Sequence, residues 1–173
     1  MLYSPRRVPE FSGDPTVAVF AGSGRLAGRA TLRVTLGDRG GSRLDDYASA
    51  WVARAADAEY LRGHGALSGC VHMAGVATEC LLKDLLAQTV GAAGRVHHLT
   101  ELVRRHPVLL AHVQAVPAVA AALVLINEPG GLHFIDWRYQ GDMSLPDFHA
   151  HATAYALFWR WLLAEAASLG ALT

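Results

Sequence analysis

The chain has 173 residues, enough for one domain with a real core, and a composition of 52% hydrophobic and 17% charged residues excludes a disordered chain. Basic and acidic residues both number 15, so at zero formal charge no global field draws the protein to nucleic acid or to an acidic membrane. The two cysteines, Cys70 and Cys80, would stand roughly 15 Å apart on one helix, too far for an intrachain disulfide.

Residues 1–43 differ from the rest. They hold seven arginines against Glu10, Asp14 and Asp38, a net of +4, which leaves −4 on residues 44–173. Either the two parts attract each other or the first is a basic arm for a polyanion. Segments 16–20 and 30–36 are rich in β-branched residues, and in the second Leu32, Val34 and Leu36 alternate with Thr31, Arg33 and Thr35. With the glycine-rich stretch 21–28 between them, they predict a two-stranded hairpin or else an irregular tail. Gly22-Ser-Gly24 is not a phosphate loop, because no Gly-Lys-Ser/Thr comes after it. The N-terminus lacks the apolar core of a signal peptide, and the longest apolar run, 117–126, falls short of the roughly 20 residues that span a bilayer. A cytoplasmic protein with no membrane contact is the expectation.

From Asp45 the pattern becomes helical. Asp45 or Asp46 caps a segment reaching about Arg62, with Tyr47, Trp51, Ala55, Ala58 and Leu61 near helical spacing. A second helix is expected over 67–90, its seam formed by Val71, Ala74, Thr78, Leu81, Leu85 and Leu86. A short third helix starts near His98 and carries Leu99, Leu102 and Val103. Pro107 restarts the chain as a first-turn residue, and Pro117 splits or kinks the helical run that extends to Ile126. Residues 127–131 read as a turn, and 132–139 as extended or irregular. Ser144-Leu-Pro-Asp147 then announces the last helix, with Phe148, Ala152, Tyr155, Trp159, Leu162, Ala166 and Leu169 on one stripe. The fold class is therefore all-α: a helical bundle over 44–173 with a β-rich or irregular extension over 1–43. Phe158, Trp161 and Leu163 form a second apolar set on the last helix, which calls for cover from the extension or from a second copy in a homodimer.

The second helix also carries Ser68, His72, Glu79 and Lys83, the sole lysine, close to one face. Glu79 and Lys83 stand at i, i+4 with the acid first, the favourable order. One reading makes this an exposed face with an ordinary ion pair; the other makes it a ligand site. The nine histidines include the pairs His97-His98 and His149-x-His151, but adjacent helical side chains diverge by about 100° and no His-Glu-x-x-His frame occurs. No metal and no cofactor are expected.

Met73-Ala-Gly-Val-Ala-Thr-Glu79-Cys-Leu-Leu-Lys83-Asp-Leu-Leu86 resembles the helix of HEPN proteins that carries a Glu-x-x-x-Lys pair. His98-Leu-Thr-Glu-Leu102 is similar to the His-x-Leu-x-x-Leu stretch that comes next in that family, and Asp136-Trp-Arg-Tyr139 resembles its Arg-Tyr-Pro element. The resemblance covers roughly residues 45–165. It implies a bundle that often dimerises, found in toxin–antitoxin or antiviral systems, often beside a small nucleotidyltransferase, and in many members acting as a metal-independent ribonuclease. Arg138 and His98 are then the catalytic candidates, arginine neutralising phosphate and histidine moving protons. Glu79, Lys83, Tyr139 and His72 are the ligand-binding candidates.

The sequence departs from the family's arginine–histidine motif. After Arg138 the next histidine is His149, across Pro146, and Gln140 stands where proline is common in the family. This favours a branch that binds a nucleotide, RNA or protein partner without cutting RNA. The alternatives are an active ribonuclease toxin and a purely structural interaction module. Arg105 and His112 fit the motif nominally but lie before the Arg-Tyr element and are interrupted by Pro107.

Overall fold

The computed structural model describes residues 46–91 and 94–171. The expected hairpin and extension at 1–43 lie outside them. Among the described residues all regular structure is helical: α1 (Tyr47–Gly63), α2 (Leu67–Thr89), α3 (Leu99–Arg104), α4 (Pro107–Ala115), α5 (Pro117–Asn127) and α6 (Leu145–Ser168), with 3₁₀ turns at Pro129–Gly131 and Asp136–Tyr139.

The ends of these helices are set by their capping residues. Asp46 accepts the Ser49 N–H at 2.9 Å and opens α1. Pro107 and Pro117 each occupy a first-turn position, and the second divides α4 from α5 outright. Buried His106 caps α4 through Nδ1, which accepts the Leu109 N–H at 3.1 Å. Ser144 opens α6: its hydroxyl accepts the Asp147 N–H at 3.3 Å and donates to the Asp147 carboxylate at 2.6 Å.

The stretch 117–139 passes for a membrane span by length and composition, the most apolar 18 residues within it having a mean hydropathy of 1.5. In the fold, α5 stops at Asn127 after 11 residues, roughly 16 Å of helix against a hydrocarbon core of about 30 Å. Gly130, at φ 61°, then turns the chain away.

Helix α2 is the centre of the bundle. It packs against α1, α3, α6 and the turn at Asp136–Tyr139, and 13 of its 23 residues are buried. Its most extensive contact is with α1, reached through a short connection, as in an antiparallel pair. Two buried side chains fix α6 across α2. The Trp159 indole N–H donates to Thr78 Oγ1 at 2.7 Å, and the Tyr155 hydroxyl reaches the Val71 carbonyl at 3.2 Å and the Ile126 carbonyl at 3.4 Å. Burial raises the Tyr155 hydroxyl far above its ordinary range, so it stays a neutral donor.

The second apolar set on α6 is largely satisfied inside this arrangement. Phe158 is buried, and Trp161 and Leu163 are half-buried against the core. That set does not by itself demand a second copy of the chain.

Candidate functional site

The polar residues of α2 lie about a third of a turn around the helix from its apolar seam, and they are not exposed. Ser68, Glu79 and Lys83 are buried and His72 is half-buried, which overturns the reading of an open, solvated face. Irregular chain covers them. Ser68 donates through its hydroxyl to the Gly141 carbonyl. His72 donates through Nδ1 to the Phe134 carbonyl at 3.1 Å. Between them Gly75 admits the Phe134 ring so closely that a Cβ there would stand 2.3 Å from it. Further along, Glu79 Oε1 receives Lys83 Nζ at 2.7 Å and His97 Nδ1 at 3.0 Å. Lys83 also sits 5.7 Å from the centre of the Tyr47 ring on α1. A buried pair of this kind holds only with good geometry and further hydrogen bonds, which His97 supplies on the carboxylate side.

Above this row, a cleft of about 450 Å³ opens between two segments and is lined by Arg95, Val96, His97, His98, His133, Ile135 and Asp136. The cleft is shallow and broadly open to solvent. His98 and His133 face each other with ring centres 4.3 Å apart, and Phe134 backs His133 at 4.5 Å. His133 Nδ1 accepts the Ile135 N–H, a long bond of 3.4 Å, so the proton of the neutral ring sits on Nε2. That Nε2 is buried and has no hydrogen-bond partner among the described residues. Burial, and then the neighbouring His98, hold the His133 pKa below the usual histidine value, against weaker pulls from Asp136, Glu79 and Glu128. At neutral pH His133 is thus an uncharged ring with an internal donor and no acceptor. Such a donor costs about 1–3 kcal/mol.

One residue anchors both walls. The buried Asn127 side chain, at the end of α5, accepts the Leu99 N–H at 2.7 Å and the Thr100 N–H at 3.5 Å, which caps α3 just after His98. Its backbone carbonyl accepts the Phe134 N–H at 3.2 Å, just after His133.

Of the residues expected from sequence, His98 lines the cleft, Glu79 touches it only through its hydrogen bond to His97, Lys83 pairs with Glu79 behind it, and His72 lies further along α2 against Phe134. Arg138 and Tyr139 lie on the turn whose first residue, Asp136, lines the cleft, but both point into solvent. The Arg138 guanidinium rests 4.5 Å from the centre of the Tyr139 ring and makes no ion pair with Glu79. The nominal Arg105–His112 motif is divided: Arg105 lies against Gly94 and 4.0 Å from Glu101, whereas His112 pairs with Glu165 on α6 at 2.7 Å.

Sequence reasoning did not single out Arg95, His133, Asp136 or Asn127, and weighed His97 only as a metal ligand. The one available signal was the pair His97-His98 just before α3, with a single histidine, His133, in the irregular segment after α5. Among the described residues, no three His, Cys, Asp or Glu side chains are placed to share a metal ion. Cys70 and Cys80 are both unpaired thiols, and burial pushes their pKa values up to about 12 and about 11, which makes them poor nucleophiles. Comparison of the chain with protein-family models, with curated proteins and with solved structures finds no match.

Proposed function

We propose that the chain is a HEPN-like accessory or defence-associated protein that binds a nucleotide, free or within RNA, in the cleft between residues 95–98 and 133–136. The observation that carries this reading is the donor set of that cleft. Arg95, exposed and without an acidic partner among the described residues, supplies a fork for phosphate. His98 and His133 supply planar rings, and Asp136 supplies an acceptor for a ribose hydroxyl or a base amine. The buried Glu79–Lys83 pair beneath contributes position rather than charge, since the two groups neutralise each other. A homodimer and a nucleotidyltransferase-type partner belong to the same proposal through the resemblance in α2, α3 and the Asp136–Tyr139 turn.

The test is calorimetric titration of the purified chain with UMP and AMP in chelator. Binding by the wild type and a loss of about tenfold or more in Arg95→Ala, the scale of one charge-assisted contact, support the reading. A wild type that binds neither nucleotide sinks it.

The second reading, a metal-independent ribonuclease, is favoured by one observation: His98 stands beside a neutral histidine, an arrangement suited to moving protons to and from a ribose hydroxyl. Against it stands Arg138, which lies outside the histidine pair. We expect little or no cleavage of bulk RNA in chelator. Robust cutting lost in both His98→Ala and Arg138→Ala would make the protein an enzyme.

A further inference from the structure

Helix α5 has two apolar faces, and the bundle uses one of them. From Pro117 to Ile126 it carries no polar or charged side chain. Val119, Ala122, Leu123 and Ile126 are buried, whereas Pro117, Ala118, Ala121 and Val124 are exposed, Val124 at 63%. At 100° per residue the exposed four fall within an arc of about 120°, as wide as the stripe a helix ordinarily turns to a core. A single exposed valine is ordinary, but a helix that is apolar all round is normally buried all round. Among the described residues nothing covers this outer face.

One segment outside the described residues matches it. In residues 30–36, Leu32, Val34 and Leu36 alternate with Thr31, Arg33 and Thr35, which gives an extended run one apolar edge and one polar edge. The three apolar side chains span about 13 Å in extended form, against about 16 Å for α5. Ten residues separate Leu36 from Asp46, where the described chain starts. They reach about 33 Å around a domain whose radius of gyration is about 14 Å. Charge favours the same contact, since residues 1–43 carry +4 and the rest of the chain −4.

The face is too small for the other obvious occupant, a second copy of the chain. At about 16 Å long and about 10 Å wide, it falls far short of the roughly 800 Å² per partner that a stable dimer buries. A tethered segment also acts at an effective concentration on the order of mM, which a second copy in dilute solution does not reach.

We propose that residues 32–36 dock in extended form on the outer face of α5, with Leu32, Val34 and Leu36 against Ala118, Ala121 and Val124 and with Arg33 turned to water. The contact lies within one chain and is independent of the nucleotide reading of the cleft.

The experiment places the photoreactive residue p-benzoylphenylalanine at position 124 of the full chain and maps its crosslinks by mass spectrometry. Val124 is exposed, so the replacement leaves the core intact, and far-UV circular dichroism checks the fold. The expected product has the mass of one chain and joins position 124 to the peptide containing residues 32–36. Leu32→Asp/Leu36→Asp lowers its yield by about tenfold or more, the scale of two buried leucines. Thr31→Asp/Thr35→Asp, on the opposite edge, leaves the yield unchanged. A product of twice the mass gives the face to a second copy and overturns the proposal. Crosslinks confined to residues 46–171, or none at all, leave the face open to water and overturn it too. Equal yields from the two double variants also overturn it, because the alternation then decides nothing.

Discussion

The two flanks of α2 are equally buried and are made of opposite materials. On one, Val71, Ala74, Leu81 and Leu85 meet α1 and α6 as apolar surface. On the other, Ser68, His72 and Glu79 meet irregular chain, and Lys83 lies between Glu79 and the Tyr47 ring of α1. The difference lies in what covers each flank. A packed helix has already satisfied its own backbone, so it asks its neighbour only for shape. Irregular chain brings free carbonyls and N–H groups, which need partners when buried. Ser68 and His72 provide those partners to the Gly141 and Phe134 carbonyls, while Glu79 binds the side chain of His97. Burial of a polar side chain on a central helix here marks where loops, and with them a cleft, lie against the bundle.

The contrast can be broken most forcefully at Glu79. Glu79→Leu leaves the Lys83 ammonium buried without its carboxylate and is expected to cost about 3–5 kcal/mol in urea unfolding. The double variant Glu79→Leu/Lys83→Met should recover most of that loss while releasing His97 and weakening ligand binding at the cleft. Full binding by a stable double variant would show that the polar flank does not position the wall. On the apolar flank Leu85→Ala should cost about 2–5 kcal/mol through the cavity it opens, with no effect on ligand affinity in the protein that remains folded. Gly75→Ala is expected to cost about 1–3 kcal/mol by overpacking against Phe134, and to shift His133 with it, so its effect on cleft binding should exceed its effect on stability.

The smallest effect is a pH slope from a histidine outside both flanks. His151 on α6 is buried with no partner for Nδ1 among the described residues, and burial holds its pKa below the ordinary 6.5, against a weaker pull from Asp147. Between the folded and unfolded values the unfolded chain binds more protons, so stability should fall as pH drops below about 6.5. His151→Leu should flatten that acid limb; an unchanged limb would assign it to His133 or to other groups.

The helices were legible because each carries its own start signal and its own period. Asp46, Pro107, Pro117 and Ser144 each cap or open the helix they announce, and the stripe through Tyr155, Trp159 and Leu162 is buried as its spacing required. The burial of Glu79 and Lys83 was not legible, because their i, i+4 spacing looks the same on a solvated surface as beneath a loop. His133 and Asn127 were missed for a related reason. They lie where the helical period ends or fails, and their roles depend on contacts distant in sequence: Asn127 with Leu99, 28 residues away, and His133 with His98. Of the Asp136–Tyr139 segment, the sequence showed its place in the chain just before the last helix but not its outward direction.

Asn127 has a consequence for exchange with solvent. Its side-chain oxygen holds the Leu99 amide and its backbone oxygen holds the Phe134 amide, although these belong to segments 35 residues apart in sequence. Deuterium can reach either proton only when the end of α5 lets go, so the two amides should open as one unit and share a common protection factor. A ligand that steadies one wall of the cleft would then slow exchange at the other.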